Sequence, residues 1–147
     1  MVQCAVRLVN KLFCRLKKLD VLISSALPTV KNYYKTENED FRIDLVCFCG
    51  NLAKQSKQYA LEVYQSNILD EVGIFLREGS STLKEKTLHM IGNISKHEAD
   101  SHPGLRKHKV IESIAKCLEE NQTDKIILKN TVYALGNIAF YSNAFAC

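Results

Sequence analysis

Apolar residues recur along this chain at steps of three and four, the spacing that keeps side chains on one face of an α-helix. Val2, Val6, Val9, Phe13 and Leu16 mark the first such stripe, and residues 1–25 read as helix. Residues 35–40 form a polar break. Beyond it the pattern predicts helices over 41–53, 57–65, 68–77, 83–95, 110–119 and 126–140. A shorter helix should open at Ala26, capped by Ser24 or Ser25, with Pro28 in the first turn where amides lack helical partners anyway. Gly79 stands where a helix would stop. Pro103 interrupts the polar stretch 97–104, leaving 105–108 as one vestigial turn.

Two apolar phrases repeat inside this pattern. Cys47-Phe48-Cys49-Gly50-Asn51-Leu52-Ala53 returns as His89-Met90-Ile91-Gly92-Asn93-Ile94-Ser95 and as Tyr133-Ala134-Leu135-Gly136-Asn137-Ile138-Ala139. The glycines are 42 and then 44 residues apart. Ala26-Leu27, Ile68-Leu69 and Val110-Ile111 open a second phrase in the same register, and the loop Asn121-Gln122-Thr123-Asp124 absorbs the two extra residues. A fixed period of this size marks a helical solenoid, in which each unit buries its apolar face on its neighbours. Each full unit reads as short helix, middle helix, long helix. We expect one solenoid segment with a partial unit at 1–23 and units at 24–65, 66–107 and 108–147. The sequence stops at Phe145-Ala146-Cys147, where another short helix would begin, so a piece of a longer array is expected.

Composition agrees with a chain made mostly of helix. Of 147 residues, 46% are hydrophobic and 24% charged, with only two prolines. No apolar run approaches the ~20 residues that a membrane helix needs. The net charge of +4 is too weak to argue for nucleic acid by itself. Arg7, Lys11, Arg15, Lys17 and Lys18 precede the first acid, Asp20, which suits a helix lying on a membrane or directing transport to an organelle. The same stripe also fits the register as the end of a preceding unit, and we adopt that reading.

Cys4, Cys14, Cys47, Cys49, Cys117 and Cys147 mostly sit inside apolar helical patterns, as free thiols do when they serve as small core residues. This usage places the chain in a reducing intracellular compartment, the cytoplasm, with the nucleus also open to it. The sequons at Asn93 and Asn121 then carry no sugar.

The three-helix unit of about 42 residues resembles the armadillo repeat. Ser25-Ala26-Leu27-Pro28 resembles the armadillo middle-helix opening, and the phrase from Tyr133 to Ala139 looks like the third-helix core, with an aromatic four residues before an asparagine. The likeness covers roughly residues 20–147. It implies an all-α, right-handed α-α superhelix of about three full repeats plus a partial N-terminal one. More narrowly, Gly92-Asn93-Ile94-Ser95 and residues 134–142 resemble the armadillo-like tail of Fused-type serine/threonine kinases, although no kinase motif is present.

Helical geometry sorts the repeated phrase, since positions four apart share a face and positions two apart nearly oppose each other. Cys49, Ile91 and Leu135 should enter the core. Asn51, Asn93 and Asn137 share another face with Cys47, His89 and Tyr133. The armadillo resemblance implies that this face lines a concave groove, where the asparagines hold an extended peptide by its backbone. An amide suits that task because it offers a donor and an acceptor together. The alternative is that these amides bond neighbouring loops or the next unit's backbone. Asp44, Lys86 and either Lys129 or Asn130 stand one or two turns before each asparagine, giving the groove mixed charge. Importin-type armadillo grooves carry tryptophans over basic peptides, and this chain has none.

Other chemistry finds little footing. Cys47 and Cys49 project about 200° apart on a helix, so they cannot share a metal. His97, His102 and His108 fit no zinc spacing. Phosphate loops, nucleophile elbows and HExxH are absent from the sequence. The expectation is a non-enzymatic scaffold without cofactor or metal, binding a protein or an extended peptide, in the manner of a regulatory segment of a larger signalling protein such as a Fused-type kinase. Nucleic acid or anionic membrane, held by the N-terminal cations and the 106–109 run, is the competing class.

Overall fold

The computed structural model describes residues 1–13, 25–97, 105 and 109–141. Expectations placed on Cys14, Arg15, Lys17, Lys18, Ser24, His102, Arg106, His108 and Cys147 lie outside that set. The described residues form helices and turns: α1 (Val2–Phe13), α2 (Leu27–Val30) running into a 3-10 turn (Lys31–Tyr33), α3 (Glu39–Gln55), α4 (Lys57–Gln65), α5 (Leu69–Glu78), α6 (Ser81–Ser95), α7 (Val110–Glu120) and α8 (Lys125–Tyr141). The three long helices stack side by side, α3 on α6 and α6 on α8, with α1 extending the layer on the far side of α3. The middle helices α5 and α7 pack as a second layer.

Side-chain caps set where the long helices begin. Asn38 Oδ1 accepts from the Phe41 amide at 2.8 Å, Ser80 Oγ from Leu83 at 3.3 Å, and Asp124 Oδ1 from Ile126 and Ile127 at 3.0 and 3.1 Å. Each accepts a donor that the first turn cannot pair internally. Asn38, Ser80 and Asp124 each lie 12 residues before a phrase glycine, so the caps share the repeat register. Ser56 caps α4 in the same way, accepting from Tyr59 at 3.2 Å.

One expected boundary differs. The cap residue of α2 is Ala26, which supplies no side-chain acceptor, and Pro28 alone suits the start. Gly79 ends α5 as expected, in extended backbone at φ −72°. Glycine is required there for space, because a β-carbon would run into the Phe75 carbonyl and the Leu83 side chain.

The core runs between the two layers. Leu45, Val46, Leu52, Val72, Phe75, Leu83, Leu88, Ile91 and Ile114 are fully buried. Cys49 and Ile91 enter it as expected, but Leu135 is only partly buried. Nothing among the described residues stacks on the far side of α8, where Val132 and Phe140 are 71% and 80% exposed. Tyr34 is buried beside Cys49 Sγ (3.4 Å) and Ser66 Oγ (2.9 Å). Ser66 spends its own proton on the Val63 carbonyl at 2.6 Å, so Tyr34 donates to Ser66 and the Cys49 thiol is left to donate to Tyr34. Burial pushes the Cys49 thiol up to about 12, which keeps that proton in place.

The α1 stripe is part of this solenoid. Val6 is buried against the core, Arg7 pairs with Asp44 Oδ2 at 2.9 Å, and Asn10 donates to the Asp44 carbonyl at 2.8 Å. Among the described residues no helix is long and apolar enough to cross a membrane.

Candidate functional site

The repeated Gly-Asn phrase is where the long helices interlock. A β-carbon on Gly50 would press on Met90 Cα at 3.3 Å, and one on Gly92 would collide with the Tyr133 ring. Both glycines therefore let the next helix approach closely. The asparagines lock the contact: Asn93 Nδ2 donates to the Gly50 carbonyl and Asn137 Nδ2 to the Gly92 carbonyl, each at 3.0 Å.

This corrects the expectation of three equivalent exposed amides. Asn93 is 1% exposed, and the Tyr133 hydroxyl donates to its Oδ1 at 2.8 Å. Its donor and its acceptor are both used inside the protein. Asn137 is half-exposed, and its amide bonds back to Gly92. Asn130 turns onto its own helix, donating to the Ile126 carbonyl at 2.9 Å. Asn51 has no side-chain partner among the described residues and is half-buried.

Beside Asn51 the face opens. A pocket of about 250 Å³ between α3 and α6 is lined by Val46, Cys47, Gly50, Asn51, Lys86 and His89. The matching space one unit later, between α6 and α8, is filled from within the protein. Tyr133 lies there against Gly92, its ring centroid 5.5 Å from that of His89 at 34°. His89 holds the position equivalent to Tyr133 and is too short to fill the earlier space. The expected groove residues Cys47, Asn51, Lys86 and His89 thus come together, while Asn93, Asn137 and Tyr133 serve the interlock.

The two walls of this pocket differ in charge, with lysines prevailing at His89 and acids at Cys47. Burial first, then Lys54 and Lys86, lower the His89 imidazole below its ordinary value, with Lys129 adding to the effect and Glu85 opposing it. The ring is therefore neutral at pH 7. Lys86 lies 3.0 Å from Glu85. Asp44 is engaged by Arg7 and, at 3.4 Å, by Gln3. Burial raises the Cys47 thiol, with Lys86 opposing and Asp44 and Glu85 reinforcing, so it stays protonated and is a poor nucleophile. Among the described residues no three His, Cys, Asp or Glu gather as metal ligands. Two other depressions, of about 280 and 330 Å³ near Lys31 and Ser66, collect no residue of the Gly-Asn phrase. Lys54 and the three caps are absent from the sequence-based site; the caps could have been found from their shared register.

No family model matches the chain, and no curated protein matches it in sequence. Its fold is that of armadillo-repeat proteins. A designed armadillo repeat protein in complex with the peptide (KR)4 superposes with a TM-score of 0.86 at 17% identity, over 98% of this chain and 60% of that one. A second designed armadillo repeat protein gives 0.87 at 18% identity, again over 98% and 60%. Computationally designed armadillo repeat proteins for modular peptide recognition give 0.84 at 17%, over 98% and 60%. The chain spans about 60% of the length of these proteins. None of this lends support to the narrower likeness to Fused-type kinases.

Proposed function

We propose that the chain is a non-catalytic interaction module that holds an extended segment of a partner protein along the face of α3, α6 and α8. The observation that carries this is the open pocket beside Asn51, at the position that Tyr133 fills one unit later. A half-buried amide with both halves unspent can pair with the amide and carbonyl of a passing peptide. The neighbouring Lys86 and His89 can then read a side chain. One of the designed proteins of this fold holds a peptide and another was made for peptide recognition, and we extend that use to this chain. Phosphate binding by the N-terminal cations is less well supported, since Arg7 is committed to Asp44.

The test is selection from a displayed library of random dodecapeptides on the immobilised protein, followed by binding to an Asn51→Ala variant. Selected peptides should lose binding to the variant while its melting temperature stays close to wild type. A selection without binders, or binders indifferent to the variant, would contradict the proposal.

A further inference from the structure

Within the peptide-binding reading just given, the chemistry of the pocket names its ligand. We infer that the space between α3 and α6 receives a carboxylate, the side chain of an aspartate or glutamate in the bound segment. Four observations converge on this.

The pocket is rich in donors. Lys86, Asn51 and His89 border it, and the ammonium, the amide and one ring N–H together bring more donors than the two acceptors, Asn51 Oδ1 and the unprotonated nitrogen of the neutral ring. A carboxylate is acceptor-only and takes several donors at once. The nearby acids are already engaged. Asp44 is bound by Arg7 at 2.9 Å and Gln3 at 3.4 Å, and Glu85 sits beside Lys86 at 3.0 Å.

The cations come from three helices. Lys54 of α3, Lys86 of α6 and Lys129 of α8 all act on His89, against Glu85 alone. Lys54 and Lys129 are exposed and pair with no acid among the described residues. Lys86 lines the space itself, while Lys54 and Lys129 add positive charge at its His89 wall, and such a balance draws anions and repels cations. A peptide such as (KR)4, held by one designed protein of this fold, would meet like charge here.

The pocket is also shaped for a side chain. In the following space the Tyr133 hydroxyl reaches Asn93 Oδ1, which shows that a polar group carried on a side chain fits beside this row of asparagines. In the α3–α6 space that neighbour is missing, and Lys86 stands where Asn130 stands one unit later, adding a charge to the rim. An incoming carboxylate exchanges Glu85 for a ligand at Lys86, a substitution of one ion pair for another.

The experiment is an NMR titration of the labelled protein with three octapeptides, (Glu-Ser)4, (Gln-Ser)4 and (Lys-Ser)4. We expect saturable shifts of the Asn51 side-chain amide and the His89 ring with (Glu-Ser)4, at least tenfold weaker binding of (Gln-Ser)4, and no shift with (Lys-Ser)4. Lys86→Glu should weaken (Glu-Ser)4 at least tenfold and admit (Lys-Ser)4. Lys54→Glu, at an exposed site, should act in the same direction and keeps the test usable if the first variant folds poorly. Equal binding of the glutamate and glutamine peptides at these residues would overturn the inference and leave the peptide-binding reading standing. Shifts from (Lys-Ser)4 in the wild type, or none from (Glu-Ser)4, would overturn it whatever the library selection yields. Tighter binding of an eight-nucleotide oligothymidylate at the same residues would overturn it in favour of phosphate.

Discussion

Tyr133 of α8 donates its hydroxyl to Asn93 Oδ1 of α6 at 2.8 Å, and that bond separates the two spaces between the long helices. Where it exists the space is closed and the asparagine is structural. Where its equivalent is missing, beside Asn51, the space is open.

The three asparagines should therefore respond differently to alanine. Asn93→Ala leaves the half-buried Tyr133 hydroxyl without its acceptor and removes the buried bond to the Gly50 carbonyl, a loss of about 2–3 kcal/mol in stability. Tyr133→Phe leaves Asn93 Oδ1 unpaired and should lose ~1 kcal/mol. Asn51→Ala, with no internal partner, should stay within ~0.5 kcal/mol of wild type. Chemical denaturation of the three variants checks the order; equal losses at Asn51 and Asn93 would contradict it.

The sequence reveals the layer of long helices, the register and the face on which the asparagines lie, because helical periodicity survives any change of neighbour. Lys57–Gln65 is the predicted helix to the residue, and the long helices gain one or two residues at each end that was misplaced. The difference between Asn93 and Asn51 is not legible that way. It depends on which side chain of the next unit reaches back, and Cys47, His89 and Tyr133 look interchangeable until the helices are stacked. Leu135 matches Ile91 in register yet is partly exposed, since nothing described covers α8. Gly79 reads as a helix stop, and the stop stands, but the steric demand from Phe75 and Leu83 that calls for glycine there is contained only in the packed structure.

The glycines make a second contrast. Gly92→Ala must displace the Tyr133 ring, breaking its bond to Asn93 and its contact with His89, and should destabilise despite the better helix propensity of alanine. Gly136 has nothing within 4 Å of its would-be β-carbon. Gly136→Ala should then raise stability by about 0.5–1 kcal/mol, the helix-propensity gain alone. Opposite signs in thermal melts support the interlock, and a stabilising Gly92→Ala would refute it.

Burial predicts a third contrast, at the position shared by Ile91 and Leu135. Ile91→Ala opens a cavity in a fully buried site and should cost ~2–5 kcal/mol. Leu135→Ala should cost distinctly less, because its surroundings can relax into solvent. Urea midpoints decide between this and equal losses.

His89 gives the stability a pH dependence. Its folded value lies below the ordinary 6.5, from burial first and then Lys54 and Lys86, with Lys129 adding and Glu85 opposing. As pH falls through 6.5 the unfolded chain takes up the proton before the folded one does. The stability conferred by keeping the ring neutral is thus present above that value and lost below it. The urea midpoint should fall on acidification through this window, and fall less in His89→Gln. Parallel pH profiles for the two proteins would contradict the assignment.

The most direct measurement of the central claim is the affinity of a library-selected peptide for wild type and for Asn51→Ala, taken with the melting temperature of each. Two lost amide bonds at ~1 kcal/mol apiece correspond to roughly thirtyfold weaker binding, with the melting temperature nearly unchanged. Undiminished affinity in Asn51→Ala, or a loss of affinity that merely follows a loss of folding, would contradict the assignment of this rung as the open one.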